Sequence, residues 1–209
     1  MIKYSFESTG RRTLEKVKEI VANGGKVIDV GGANSFADGY LNAIVDIRNP
    51  QASAPHKFIG DMNMPELWEP MLKHVAKHGK WDYAICTHTL EDICNPLFVC
   101  RMLEKVAKAG IIVEPSKHRE LARFDRTYGK RGFWHHRWIF DMVDGVFTGF
   151  PKINWIEDAR FDDVHKCLPD REELIVEWEG EINMHVVHDD LIYEGGYDEF
   201  VRCYDALLT

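Results

Sequence analysis

Four segments of the chain place chemistry-bearing side chains directly after short apolar runs. Asp29-Val30-Gly31-Gly32-Ala33-Asn34-Ser35 continues from KVIDV, Asp46-Ile47 closes AIVDI, Gly60-Asp61-Met62 ends the HKFIG run, and Cys86-Thr87-His88-Thr89-Leu90-Glu91-Asp92 follows WDYAIC. If those runs are strands of an open α/β sheet, these residues lie where such sheets bind ligands, beyond the strands' carboxyl ends. Small residues at 31–33 let a backbone approach a ligand closely and offer free N–H groups. A carboxylate at Asp46 can accept hydrogen bonds from both hydroxyls of a ribose. Asp61 beside the apolar Met62 can read an adenine edge. Each feature also has a plainer explanation: a tight turn for Gly-Gly, a solvated loop carboxylate for Asp46, a helix cap for Asp61. Their joint order along the chain is what points to a bound nucleotide-like ligand.

A second cluster spans 117–137, KHRELARFDRTYGKRGFWHHR, with seven Lys or Arg against two acids. Such a local excess in an acidic chain predicts contacts to an anion through Arg123, Arg126, Lys130, Arg131 and Arg137. Trp134 and Trp138 would wall that site. The competing explanation is a solvated basic loop that balances acidic surface elsewhere. Interleaved Phe124, Tyr128, Phe133 and Trp134 could stack on bases, but one short segment is thin support for nucleic acid. A transfer to oxygen needs a proton acceptor, and His88, His135 and His136 are the candidates. No metal is expected, because adjacent histidines point different ways and no acid stands at ligand spacing. His185 and His188 read as strand residues. Glu91 and Asp92 suit a helix N-terminus.

The whole chain has 209 residues, 45% hydrophobic, with a net charge of -8. That length favours one domain, 1–209, and that balance argues against a surface that wraps nucleic acid. No apolar run approaches the roughly 20 residues of a membrane span, and MIKYSFESTGRR lacks a secretory h-region. Cysteines at 86, 94, 100, 167 and 203 are odd in number and never CxxC-spaced. A reduced, cytoplasmic setting is the expectation.

The elements that must position these residues follow from periodicity. Leu14, Val17, Ile20 and Val21 form a helical stripe within 11–22, stopped by Asn23-Gly24-Gly25. Strands are expected at KVIDV, 43–47, 56–60, 81–86 and 110–115, and helices at 65–78 and 96–108, each opened by proline. Alternating short apolar strands and helices predict an α/β fold, a Rossmann-like, mostly parallel sheet with helices on both faces. LIVEWEGEINMHVV at 174–187 reads as a C-terminal antiparallel hairpin turning near Gly180-Glu181, and YDEFVRCYDALL as a last helix. The cofactor half would be 11–115 and the acceptor segment 116–150.

This order resembles the class I S-adenosylmethionine-dependent methyltransferases over roughly residues 11–115. VIDVGGANS is similar to the family's glycine-rich first motif, with Ala33 and Ser35 at its later glycine positions. VDI resembles the ribose-holding acid, GDMN the adenine-contacting loop, WDYAICTHTLEDICNP the segment after the fourth strand, and LEKVAKAGIIVEP the helix, turn and fifth strand. The resemblance implies S-adenosylmethionine held by Asp29, Gly31, Gly32, Ala33, Asn34, Asp46, Ile47, Asp61, Met62, Thr87 and His88. It implies methyl transfer; with the basic segment the expected acceptor is small and anionic, and the apolar run lengths and charge balance lead us to expect neither a membrane nor a nucleic-acid partner. The (Asp/Asn)-Pro-Pro-aromatic motif of amino-methylating enzymes is absent. A nicotinamide fingerprint would need glycines at 31, 33 and 36, where the chain has Gly, Ala and Phe. The alternatives are a cofactor-binding module without transfer and another nucleotide-using enzyme on the same fold.

Overall fold

Strand order carries the fold. In the computed structural model, which describes residues 2–7, 11–33, 35–123, 129–164, 170–187 and 197–209, seven strands form one sheet and three a second. The large sheet runs β1 (Ile2–Glu7), β9 (Glu173–Glu179), β6 (Ala107–Pro115), β5 (Trp81–Thr87), β2 (Val27–Val30), β3 (Ala43–Asp46), β4 (His56–Ile59). From β2 the chain winds outward to β3 and β4, then returns to place β5 and β6 on the other side of β2, all parallel. The winding therefore reverses between β2 and β5, the topological switch point at which Rossmann-like sheets open a crevice. This α/β sheet is the expected one.

Both faces are covered because β2 and β3 are apolar on both sides, with all four residues of each buried. Helix α1 (Arg11–Ala22) brings Val17 against Val27, Ile44, Ile85 and Ile111. On the opposite face α2 (Pro65–His78) and α3 (Pro96–Val106) bury Trp68, Met71, Val99 and Leu103 against Ile28, Val30, Ala84 and Ile112. Both helices start at proline, whose missing N–H would have no intrahelical partner there. Asn95 caps α3 by accepting from Phe98 N at 3.0 Å. The Leu90-Glu91-Asp92 segment lies before this start, outside the helix.

Of the two strands at the far edge, β9 lies on the expected 174–187 segment, whereas β1 was not legible in the sequence. β1, alternating Ile2, Tyr4 and Phe6 with polar residues, pairs antiparallel with β9 along its whole length. β9 in turn runs antiparallel to β6. With both edges of β9 taken, no edge remains for a partner in a hairpin, and the expected 174–187 hairpin does not form. The turn at Gly180 exists, with φ 78° and a lone Glu179–Glu181 bridge. Beyond it the chain leaves the sheet, and β10 (Met184–Val186) adds in parallel to β8 (Val146–Pro151) of the small sheet.

That small sheet is a true hairpin, β7 (Trp138–Val143) to β8, plus β10. Asp144 and Gly145 join its arms with φ of 50° and 79°. Positive φ at both central residues is the turn that matches strand twist, and Asp-Gly between apolar runs is its sequence signal. The short helix α4 (Lys117–Glu120) links the two sheets. Its Lys117 makes a 2.8 Å ion pair with Asp141 of β7, both side chains almost wholly buried. The final helix α5 (Tyr197–Asp205) matches the expected one and sends Tyr204 into a core with Phe150 and Phe161.

Candidate functional site

The crevice at the switch point is built from loops after β2, β3 and β5. Gly31 turns the first with φ 93°, and its N–H donates to Val45 O at 2.8 Å. A Cβ on Gly31 would stand 2.0 Å from Thr89 Oγ1, and one on Gly32 2.2 Å from Asp29 Oδ2. The two glycines thus make room first for the protein's own Thr89 and Asp29. Asp46 braces two loops, accepting from Ala33 N at 3.0 Å on Oδ2 and from Arg48 N at 2.9 Å on Oδ1. Ile47, next along, is an exposed apolar side chain. Asp61 accepts from Asn63 N and Nδ2 within its own turn and does not cap α2, whose cap residue is Met64. Met62 is buried in the core, with its carbonyl held by Trp68 Nε1. Asn34 lies outside the described residues.

Asp29 is the least satisfied group in this crevice. It is 1% exposed, and neither carboxylate oxygen has a hydrogen-bond partner. Burial raises its pKa to about 7 against the lowering pull of the Ser35 hydroxyl, and the negative charge of Asp46 adds to the rise. A buried carboxyl without partners favours its neutral form.

Two cavities flank the end of β5. One of about 360 Å³, mostly apolar, is lined by Thr13, Leu14, Phe36, Thr87, His88, Val113 and Glu173. Within it Thr13 Oγ1 and Glu173 Oε2 are buried without partners. The other, about 390 Å³ and more polar, is bounded by His88, Glu91, Asp92, Arg119, Phe133, His135, His136 and Glu173. His88 and Glu173 belong to both linings and form the partition, with Nε2 and Oε1 3.1 Å apart. His88 holds φ 48°, a left-handed conformation uncommon outside glycine. The hydrogen bond to Glu173 and the carboxylate of Glu91, whose Oε1 lies 3.7 Å from Nδ1, raise its pKa to about 9. That shift favours the imidazolium at neutral pH, which does not suit the proton-acceptor role expected of it.

Beneath the polar chamber, Glu91 and Glu114 are both almost completely buried. Burial and the charge of Glu91 push Glu114 well above the carboxylate range; its Oε1 accepts from Leu90 N at 3.3 Å, while its Oε2 and that of Glu91 have no hydrogen-bond partner. Burial works against the charge on Glu91, yet its interactions with Glu114 and with the nearby imidazoles of His88 and His136 hold its pKa below the usual value. Glu91 thus serves as a buried anion in the chamber floor, and not as a helix-terminus charge.

The basic segment meets a different fate from the one expected. Arg131 is fully buried; its guanidinium donates to the carbonyls of Leu121, Phe161 and Asp158 and to the carboxylate of Asp162. It cannot bind an anionic acceptor, because every reachable acceptor is internal. Arg123 pairs with Glu157 at 2.8 Å and Lys130 reaches Asn154 at 3.3 Å. The excess positive charge is answered by acids some thirty residues further on. Trp134 is exposed and lines neither chamber; Phe133 walls the polar one, with the Arg119 guanidinium 5.3 Å from its ring centroid. Arg126, Phe124 and Tyr128 fall outside the described residues, as does His188.

Arg137 acts through its position. Its backbone N–H donates to Glu91 O at 2.6 Å and its Nε to Asp92 O at 3.1 Å. Trp138 Nε1 adds a bond to Ile93 O at 2.8 Å. Together these clamp the loop after β5 onto the segment carrying the paired histidines. His135 sits in a turn closed by His136 N to Phe133 O at 3.3 Å, and the two imidazole centroids lie 4.5 Å apart. The expectation that adjacent histidines diverge therefore fails: ligand atoms of Asp92, His135 and His136 all lie within 4.8 Å of one another. His136 Nδ1 is held by Glu120 Oε1 at 2.7 Å, and Lys152 holds the other oxygen at 2.5 Å.

Glu173, Glu120, Arg119 and Lys152 were missed in the sequence, since each reaches the site from an element whose partner is remote along the chain. Glu91 and Asp92 were seen but assigned to a helix.

No family model matches the sequence, and no curated protein does. Solved structures of similar architecture include the methyltransferase domain of a bacterial Hen1, 11% identical, covering 81% of this chain and 97% of that one with a TM-score of 0.42. The small RNA methyltransferase HEN1 is 12% identical over 84% of this chain and 26% of that chain, TM-score 0.42. The N-terminal domain of EvdMO1 with SAH bound is 11% identical over 66% of this chain and 57% of that chain, TM-score 0.36. Likenesses this distant carry no argument about activity. What stands on the chain's own geometry is a Rossmann-like sheet whose switch-point crevice opens into two chambers divided by His88 and Glu173.

Proposed function

We propose that the protein binds S-adenosylmethionine at the switch point and transfers its methyl group to a small polar acceptor. The observation that carries this reading is the set of unpartnered buried groups around the crevice: Asp29, Thr13 Oγ1 and Glu173 Oε2. A buried carboxyl with a pKa near 7 gains most from a cationic partner such as an ammonium group. Asp46, with lone pairs left beyond its two backbone bonds, and exposed Ile47 suit a ribose and an aromatic base at the adjacent strand ends. A cavity of about 360 Å³ lies within the range of small-molecule clefts. When bound, S-adenosylmethionine supplies an electrophilic methyl for in-line displacement.

The chain's own part is positional. The His88–Glu173 partition separates the apolar chamber from the polar one, where the acceptor would sit. There Glu91, Asp92 and Glu173 stand against Arg119 and cationic His88. This mixed lining suits a hydroxyl- or amine-bearing acceptor better than the anionic one expected, since Arg131, one of the five basic residues expected to hold it, is internal.

Calorimetric titration with S-adenosylmethionine and S-adenosylhomocysteine, with NAD and ATP as controls, tests the reading. Micromolar binding of the first two alone supports it. Silence from both, or tighter binding of a control, overturns it.

A further inference from the structure

Asp92, His135 and His136 converge at the rim of the polar chamber although they come from two separate segments. Three backbone-directed bonds, from Arg137 N, Arg137 Nε and Trp138 Nε1, fix those segments together at 2.6, 3.1 and 2.8 Å. The convergence is therefore built into the fold.

We propose that Asp92, His135 and His136 form a binding site for one divalent transition cation. The strongest support is the state of His136. Its side chain is only 7% exposed, its Nδ1 is occupied by Glu120, and its Nε2 faces the chamber, with Glu91 Oε1 3.9 Å away, too far for a hydrogen bond. A carboxylate that fixes one ring nitrogen and aims the other outward is the usual support of a metal-bound histidine. Glu120 is itself held by Lys152, so the orientation of the ring is determined twice over.

The donor set narrows the ion. Two imidazoles and one carboxylate suit zinc, manganese, iron(II) or cobalt; magnesium and calcium prefer all-oxygen cages. Ligand bonds of about 2.0–2.2 Å require the three atoms to draw together. Asp92 and His135 are exposed and supply that movement, while buried His136 stays fixed. Buried Glu91 alongside adds negative charge that favours a cation. Three protein ligands leave coordination positions open toward the chamber, as in sites where an ion meets a substrate. An oxygen-bearing methyl acceptor would bind there as a further ligand; this last step alone rests on the methyltransferase reading.

Cobalt(II), added to chelator-treated protein without any nucleotide, provides the probe through its visible absorption. The expected result is one equivalent bound, displaced by zinc and insensitive to a large excess of magnesium. Asp92→Asn and His135→Ala, both at exposed positions, should each weaken binding about 10- to 100-fold while circular dichroism stays unchanged. His74→Ala serves as a control, because His56, His74 and His78 form a separate imidazole cluster. Cobalt binding that survives both site variants, that falls only in His74→Ala, or that never occurs overturns the proposal. Because no cofactor is present, failure of S-adenosylmethionine to bind leaves this result untouched.

Discussion

His88 Nε2 lies 3.1 Å from Glu173 Oε1, and this one contact joins the loop after β5 to the start of the antiparallel strand two places along the sheet. Glu173 reaches His88 across β6, so the partition between the chambers depends on β9 holding its register. A raised pKa of about 9, against 6.5 unperturbed, makes this pair a pH-dependent brace. The folded state binds the proton more tightly than the unfolded chain. The contribution is thus complete below about pH 6.5 and lost as pH rises through 9. The His88 side chain is half exposed, so solvent screening reduces it to about 1 kcal/mol. Denaturant unfolding of wild type and Glu173→Gln at pH 6 and pH 10 should show a gap at pH 6 that closes at pH 10. An equal gap at both would remove the ion pair from the account.

Asp29 makes the opposite kind of statement about the crevice. Its folded pKa of about 7 stands above the unperturbed 3.8, so the folded state favours the protonated form. Stability from this group is present below pH 3.8 and lost as pH rises through 7; Asp29→Asn should flatten that loss. A cationic ligand reverses the preference. Binding of S-adenosylmethionine at pH 7 should release about half a proton. Calorimetry in two buffers of different ionisation enthalpy measures it, and identical heats would show that Asp29 does not meet the ligand's charge.

Gly31→Ala should destabilise the protein by about 2–4 kcal/mol, from a strained left-handed φ and a collision with Thr89. The two parts separate. Combining it with Thr89→Gly relieves the collision and leaves the backbone strain. A double-mutant cycle from urea unfolding should therefore show favourable coupling of about 1 kcal/mol or more. Strict additivity would mean that Gly31 serves a ligand and not Thr89.

Replacing Arg131 with Leu takes the guanidinium donors from the buried carbonyls of Leu121 and Phe161. The expected cost is about 3–5 kcal/mol. Arg123→Ala, an exposed residue on the same segment, should cost under about 1 kcal/mol. Thermal melts of the two variants decide between a structural arginine and a surface one; equal melting temperatures would put Arg131 back on the surface.

Local pattern carried the central sheet well. The run from β4 to β6 alternates strands with proline-opened helices, and α2 occupies the expected 65–78. Pairings between distant segments were not legible. β1 is six residues of plain alternation whose partner begins 166 positions later, at Glu173. The hairpin at Asp144-Gly145 did carry a readable turn signal, overlooked beside the louder basic segment. Charge counting misread Arg131, because Asp162 and the carbonyls of Asp158 and Phe161, which enclose it together with Leu121, lie outside the counted window. The adjacent histidines were judged by the rule for extended chain, in which neighbours face opposite ways. A turn at 133–136 brings them to one side.

The loop after β5 presents His88 to one chamber and, four residues later, Asp92 to the rim of the other. Occupants of the two chambers are thereby bound to a common strip of backbone, clamped at Glu91 and Asp92 by Arg137. Their binding free energies cannot be set independently of that strip. Whatever factor an ion at the rim contributes to nucleotide affinity, the nucleotide must return in equal measure to the ion. The order in which the chambers fill is then a matter of relative concentrations, and either occupant prepares the protein for the other by the same amount.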